Sequence, residues 1–346
     1  MTTRALVIGL GAIGQRHARN LRTILGDELV LSALRSRRAS PVIADGLVVA
    51  GGTPEDDCDG GVFTDLDSAL EARPDLVFVC TPSNMHVGYA RAAVASGAAV
   101  FIEKPLSSDM EGVEALAADV QARKAVVAVG CQLRFHPALV RLRALLHEQV
   151  VGRLLAVHIE QAEYLPGFHP YEDYRTSYAA RRDLGGGVIV TQIHELDYLQ
   201  WIFGVPTRVF AVGGRLGHLE IDVEDTASAL FEVNFQGSPL PVHVHLDYLQ
   251  RPPRRSCRVV GEEGVVDIDM RLPLLRWTDN DGVLREEGTF PDHERSQLFM
   301  DEMRSFLGAA RREHPPEVDL DDAVATQRMA EAFRASLESG SLKSLS

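Results

Sequence analysis

The sequence predicts an α/β domain built on a parallel sheet, followed by an α+β domain with a large, open, mostly antiparallel sheet. Three observations carry this. The chain has 346 residues, 45% of them apolar, more than one hydrophobic core usually organises and enough to fill two. Its first third alternates short β-rich runs with helical patterns, the mark of parallel strands joined by crossover helices. Beyond about residue 150 long alternating runs follow one another with only turns between them, which reads as an antiparallel meander.

In order, the first domain reads as the strand Ala5-Leu-Val-Ile-Gly9, a helix from Ile13 to Leu25, the strand Leu29 to Leu34, and then Leu76-Val-Phe-Val-Cys80. A helix through Tyr89 to Ala95, the strand Ala99-Val-Phe-Ile102, a helix from about Asp109 to Arg123 and the strand Val126 to Gly130 complete it. Runs apolar at every position imply strands buried on both faces. In the second domain the expected strands are Leu154–Glu160, Arg208–Gly213, Thr226–Phe235, Val242–Leu249, Cys257–Val260 and Val265–Met270. An aromatic and charged loop, 164–182, the hinge Gly185-Gly186-Gly187 and a helix from about Val188 to Phe203 interrupt them. Two helices, Arg295–Arg312 and Asp319–Glu338, close the chain, the second with Asp319 as N-cap after Pro315-Pro316. The expected division is 1–125 and 126–346, with the C-terminal helix a candidate to pack back on the first part.

The formal net charge of -14 and a pI near 5.3 argue against nucleic acid as partner, because a polyanion is held by a cationic field. No apolar run approaches the roughly 20 residues needed to span a bilayer. Cys58, Cys80, Cys131 and Cys257 lie far apart with no Cys-x-x-Cys spacing, which fits reduced thiols in a cytoplasm and no metal site. His243 and His245 share one face of a strand and read as surface or interface residues.

Gly9-Leu-Gly11-Ala12-Ile13-Gly14 stands between the first strand and a helix, the context in which Gly-x-Gly-x-x-Gly marks a dinucleotide site. Gly9 permits the turn, Gly11 lets a pyrophosphate approach the backbone, and Gly14 allows close packing of helix on strand. The helix N-terminus then offers N–H groups and a partial positive charge to the phosphates. At the end of the second strand, where an NAD site usually carries a carboxylate, stand Arg35, Ser36, Arg37 and Arg38. These suit a 2'-phosphate, so NADP(H) is the favoured cofactor, with NAD(H) the alternative, and Arg35 is the first choice for the contact.

Three further motifs join the glycine loop: Cys80-Thr81-Pro82-Ser-Asn-Met-His86, Glu103-Lys104-Pro105, and Gly185-Gly-Gly-Val-Ile-Val-Thr191-Gln-Ile-His194-Glu-Leu-Asp197. Over nearly its whole length the chain resembles the glucose-fructose oxidoreductase, inositol dehydrogenase and rhizopine-catabolism family, Gfo/Idh/MocA. The resemblance implies a Rossmann domain, an α+β substrate domain whose open sheet makes a homodimer or homotetramer, and an active site in the cleft between them. It also implies hydride transfer between nicotinamide and a hydroxyl or carbonyl carbon of a sugar, nucleotide sugar or cyclitol.

By that resemblance Lys104 and His194 are the catalytic candidates, an ammonium to stabilise a developing alkoxide and an imidazole as general base. Cys80, Thr81, Pro82, His86, Glu103 and Lys104 join the glycine loop, Ala12 and Ile13 included, on the cofactor. Arg134, His169, Tyr174, Arg175, Tyr178, Arg181, Thr191 and His194 are the substrate-binding candidates. The family's aspartate one turn before the histidine is missing, since Val190, Thr191 and Gln192 stand there. Thr191 and Asp197 are the candidates to replace it. That gap also motivates a second reading, a nicotinamide-binding regulatory protein with weakened catalysis; a third is reduction of a non-sugar substrate such as an imine or a tetrapyrrole.

Overall fold

The structure is a computed structural model that describes residues 2–35, 41–44, 46–290 and 294–345. The chain divides into two compact units. The first holds residues 1–131, 169–173 and 299–324, the second 132–168, 174–298 and 325–346.

In the first unit β1 (Thr3–Ile8) leads through α1 (Ala12–Leu25) to β2 (Leu29–Leu34), and a small hairpin of β3 (Val42–Ala44) and β4 (Leu47–Val49) follows. Then come β5 (Val62–Phe63), α2 (Leu66–Glu71), β6 (Leu76–Val79), α3 (His86–Ser96), β7 (Ala99–Glu103), α4 (Val113–Arg123) and β8 (Val127–Gly130). The six-stranded sheet runs β5-β2-β1-β6-β7-β8 with every pair parallel. Alternate side chains fill two cores. Leu6, Ile8, Val77, Val79, Val100 and Ile102 pack on one side; Ala5, Val7, Leu31, Phe78 and Phe101 pack on the other. Burial on both faces explains why these strands read as unbroken apolar runs. Strand order reverses at β1, so the carboxyl ends of β1 and its neighbours form the switch point at which open α/β sheets take ligands. The C-terminal segment closes this unit: Val318 and Leu320 join the first core, Met303 and Phe306 the second, and Val129 N–H bonds Val318 O at 3.1 Å.

In the second unit α5 (Pro137–His147), unmarked in the sequence reading, precedes β9 (Leu154–Ala162). Pro137 opens the helix, and Leu139, Leu142, Leu145 and Leu146 face the core. After α6 (Val188–Thr191) and α7 (His194–Phe203) come β10 (Pro206–Gly214), β11 (Thr226–Phe235), β12 (Ser238–Asp247), β13 (Arg254–Gly261), β14 (Gly264–Asp269), β15 (Leu274–Asp279) and β16 (Leu284–Thr289). The helices α8 (Arg295–Ala310) and α9 (Leu320–Ser339) and the two-residue β17 (Lys343–Ser344) follow. The nine-stranded sheet is ordered β16-β15-β14-β13-β9-β12-β11-β10-β17.

Two expectations change here. The sheet is not a simple meander, because β9 inserts between β13 and β12 and runs parallel to β12. Alternation marks the buried face of a strand and carries nothing about its neighbour. The expected single helix is two, with a turn at Gln192-Ile193. Asp319 does cap α9, accepting the Asp322 N–H at 2.9 Å. No helix among the described residues is long and apolar enough to cross a membrane.

Candidate active site

The glycine loop shows three separate constraints. Gly9 has φ +97°, and a Cβ there would lie 2.7 Å from the Cys80 carbonyl oxygen; one on Gly14 would lie 1.9 Å from the Gly9 carbonyl oxygen. A Cβ on Gly11 would meet nothing within 4 Å. The first and third glycines thus let the chain turn and α1 close on the sheet, while the middle one leaves open space beside bare backbone. Gly11 N-caps α1 with no side-chain hydrogen bond and no acid in the first turn, so the helix's N–H groups have no carboxylate competitor there. These residues fit a dinucleotide pyrophosphate. Ala12 and Ile13 form the first turn of α1.

At the end of β2, Arg35 Nη1 pairs with the Glu55 carboxylate, both side chains largely shielded. Ser36, Arg37 and Arg38 lie outside the described residues. Glu55 comes from a segment 20 residues downstream, with no motif to link it to Arg35 in the sequence.

The Cys80 and Glu103 motifs meet. His86, buried in the first turn of α3, has Nδ1 2.8 Å from Pro105 O and Nε2 2.8 Å from Thr81 O. Burial lowers the pKa of its ring, against the pull of the two carbonyls and Glu103. His86 therefore ties the loop after β6 to the loop after β7 and touches backbone on both sides. Lys104 is half-buried directly past the carboxyl end of β7, and its peptide bond to Pro105 is cis. Glu103 is 7% exposed; its Oε1 meets His17 Nε2 at 2.6 Å, and its Oε2 accepts the Lys104 N–H at 3.2 Å. His17 was not singled out in the sequence, although a histidine three residues past Gly14 on an otherwise apolar helix face was visible. Burial, with Glu103 adding to it, pushes the Cys80 thiol well above its ordinary range, consistent with a core residue.

In the second unit α7 is buried nearly all round. His194 is 6% exposed, Asp197 1% and Glu195 0%. Asp197 faces Arg134, which is 3% exposed and reaches the carboxylate through Nη2 at 2.7 Å and Nε at 3.1 and 3.2 Å. Both halves of that pair were candidates for other duties, Asp197 for orienting His194 and Arg134 for binding substrate. Glu195 is likewise held by Arg255 Nε and Nη2, at 2.8 and 2.9 Å. Thr191, at the end of α6, is buried.

The loop candidates lie further out. Arg175 pairs with Glu220 at 2.7 Å, Tyr174 OH accepts the Glu220 N–H at 3.3 Å, and Arg181 pairs with Asp183. Tyr178 packs partly buried against the main core. Arg175, Arg181, Arg215, Glu220 and Asp222 line a shallow pocket of about 470 Å³. His169, in the first unit, pairs with Glu172 at 2.8 Å and stacks on Tyr171. The carboxylates answering these arginines escaped the sequence reading because they lie 2 to 45 residues away, with no motif linking them.

Residues 3–131 match the family model described as "Oxidoreductase family, NAD-binding Rossmann fold", and residues 139–267 match the GFO/IDH/MocA C-terminal domain. Inositol 2-dehydrogenase of Paracoccus denitrificans is 28% identical, the match covering 98% of this chain and 95% of that protein. The Acidiphilium cryptum inositol 2-dehydrogenase is 30% identical over 81% of this chain and 77% of its own length. Among solved structures, a dehydrogenase from Bordetella pertussis in complex with NADH and UDP-GlcNAcA superposes with a TM-score of 0.78 at 19% identity, covering 100% of this chain and 99% of its own. The glycine loop, the Glu-Lys-Pro turn and these matches agree: the chain belongs to the Gfo/Idh/MocA family and is an NAD(P)-dependent oxidoreductase of the dehydrogenase type.

Proposed function

We propose that this chain interconverts a secondary alcohol and its ketone on a cyclitol or sugar-like polyol. The observation that carries the reading is Lys104 at the carboxyl end of β7, on the ligand-bearing edge of a parallel sheet whose glycine loop fits a dinucleotide. The cyclitol preference follows the inositol 2-dehydrogenases the chain resembles. The nicotinamide, when bound, supplies the hydride acceptor or donor. Lys104 then stabilises negative charge on the reacting oxygen, and His194 takes or returns the hydroxyl proton. Arg134, pinned by Asp197, holds α7 in place, while His169, Tyr174, Arg175, Tyr178, Arg181 and Thr191 are the proposed substrate contacts. The first unit, residues 1–131 with 169–173 and 299–324, serves mainly the cofactor, and the second the substrate.

NADP(H) is the preferred cofactor in this reading. Arg35 is already answered by Glu55, so the 2'-phosphate contact passes to Ser36, Arg37 and Arg38. The compartment is the cytoplasm, in keeping with four unbridged cysteines. The assembly is a homodimer or homotetramer through the open face of the second unit's sheet. There Phe210 pairs across strands with Leu230, both exposed, and Val212 stands beside them.

Mass spectrometry of the nucleotide that copurifies, followed by a panel of inositols, sugars and nucleotide sugars read at the nicotinamide absorbance, tests this reading. NADP(H) and turnover of a polyol are expected. Copurifying NAD(H) would remove the arginine argument, and a panel without any turnover would remove the polyol.

A further inference from the structure

We propose that His17 is a positioning residue that acts on Lys104 through the carboxylate of Glu103. The inference rests on the catalytic reading of Lys104 but asks a separate question: what fixes that side chain's geometry.

The geometry is one connected line. His17 lies on α1, one turn past Gly14, and is fully buried. Its Nε2 meets Glu103 Oε1 at 2.6 Å, while Glu103 Oε2 accepts the backbone N–H of Lys104. The other ring nitrogen has no hydrogen-bond partner among the described residues. Three aromatic rings surround the imidazole, those of Phe78, Phe101 and Phe299, with centroids at 5.8, 5.1 and 6.5 Å. An N–H at Nε2 donated to the carboxylate satisfies this arrangement.

Burying a carboxylate is costly, and an apolar pair of the same volume would serve stability as well. Its position indicates a use. Glu103 is the last residue of β7, and His17 is on the helix whose N-terminus faces the dinucleotide loop. On the far side of Lys104, the Pro105 carbonyl is held by His86. Lys104 is thus anchored on both sides, by α1 through Glu103 and by α3 through Pro105. The titratable groups around the carboxylate are His17 from α1, Cys80 after β6, His86 from α3 and Lys104 itself.

Removing the N–H donor leaves the buried carboxylate without its partner. Lys104 then loses the backbone acceptor that fixes its turn, which leaves its side chain less restrained and its amine more open to reagent. The sequence holds three lysines, Lys104, Lys124 and Lys343, so amine labelling resolves them cleanly.

The test is acetic anhydride labelling of the full chain at one pH, read by peptide mass spectrometry as the ratio of Lys104 to the exposed Lys124. It is run on native protein, His17→Leu, His17→Gln, Glu103→Gln and the His17→Leu/Glu103→Gln double variant. We expect the ratio to rise about threefold to tenfold in His17→Leu and in Glu103→Gln. The double variant should add nothing, and His17→Gln, which keeps an N–H donor, should restore the native ratio. An unchanged ratio in His17→Leu and Glu103→Gln, or two shifts that add in the double variant, would overturn the link. His17→Gln and Glu103→Gln conserve polarity and near-native volume, so the outcome does not hang on His17→Leu folding. Labelling needs neither substrate nor cofactor: lost turnover with an unmoved ratio would overturn this inference while leaving the role of Lys104 intact.

Discussion

The two sheets handle polar groups in opposite ways. The first unit's strands are buried on both faces, and its proposed site residues sit at their carboxyl ends, in turns made by Gly9, Thr81 and Lys104. The second unit's sheet buries one face, as in the alternating burial of β11 and β14, and its candidate base stands on α7 among buried ion pairs. In the first case much of the candidate site is local sequence, because a strand end and the turn after it are contiguous, although His17 reaches Glu103 from 86 residues away. In the second the supporting partners arrive from afar, Arg134 from 63 residues before Asp197 and Arg255 from 60 residues after Glu195.

The largest expected effect tests whether both units contribute chemistry. Lys104→Ala and His194→Ala should each lower turnover by roughly 10² to 10⁴ while cofactor affinity changes little. A full-rate His194→Ala enzyme, on a substrate that native protein turns over, would confine the chemistry to the first unit.

Next comes the contrast between buried and exposed pairs within the second unit. Asp197→Ala strands a guanidinium that is almost wholly out of water and should cost about 3 to 5 kcal/mol in urea unfolding. Arg175→Ala breaks a pair whose side chains are more than half exposed and should cost under about 1 kcal/mol. Similar losses for the two variants would mean that the burial of α7 does not set the energetics.

The smallest effect concerns the open face. Leu230→Asp places a charge opposite Phe210 on the exposed side of β11 and should dissociate the proposed assembly to monomers in light scattering at micromolar concentration, with the fold retained by circular dichroism. A native protein already monomeric there would show that this sheet face has no copy of itself to bind.

What the sequence determined by itself was the kind of most of the main elements and the glycine turn. Apolar runs gave the parallel strands, alternation gave the half-buried ones, and the spacing of Gly9, Gly11 and Gly14 gave the dinucleotide turn, since backbone geometry within a few residues needs no distant partner. Edge strands such as β16, with Arg285, Glu286 and Glu287 in six residues, did not show, because an edge half in water has no apolar face to advertise. Only the tertiary structure decided that β9 lies between β12 and β13, that Glu55 answers Arg35, that Asp197 answers Arg134 and that His17 reaches Glu103. A buried charge or N–H must find its complement wherever packing brings one, and in a folded chain that complement is set by topology rather than by spacing along the sequence.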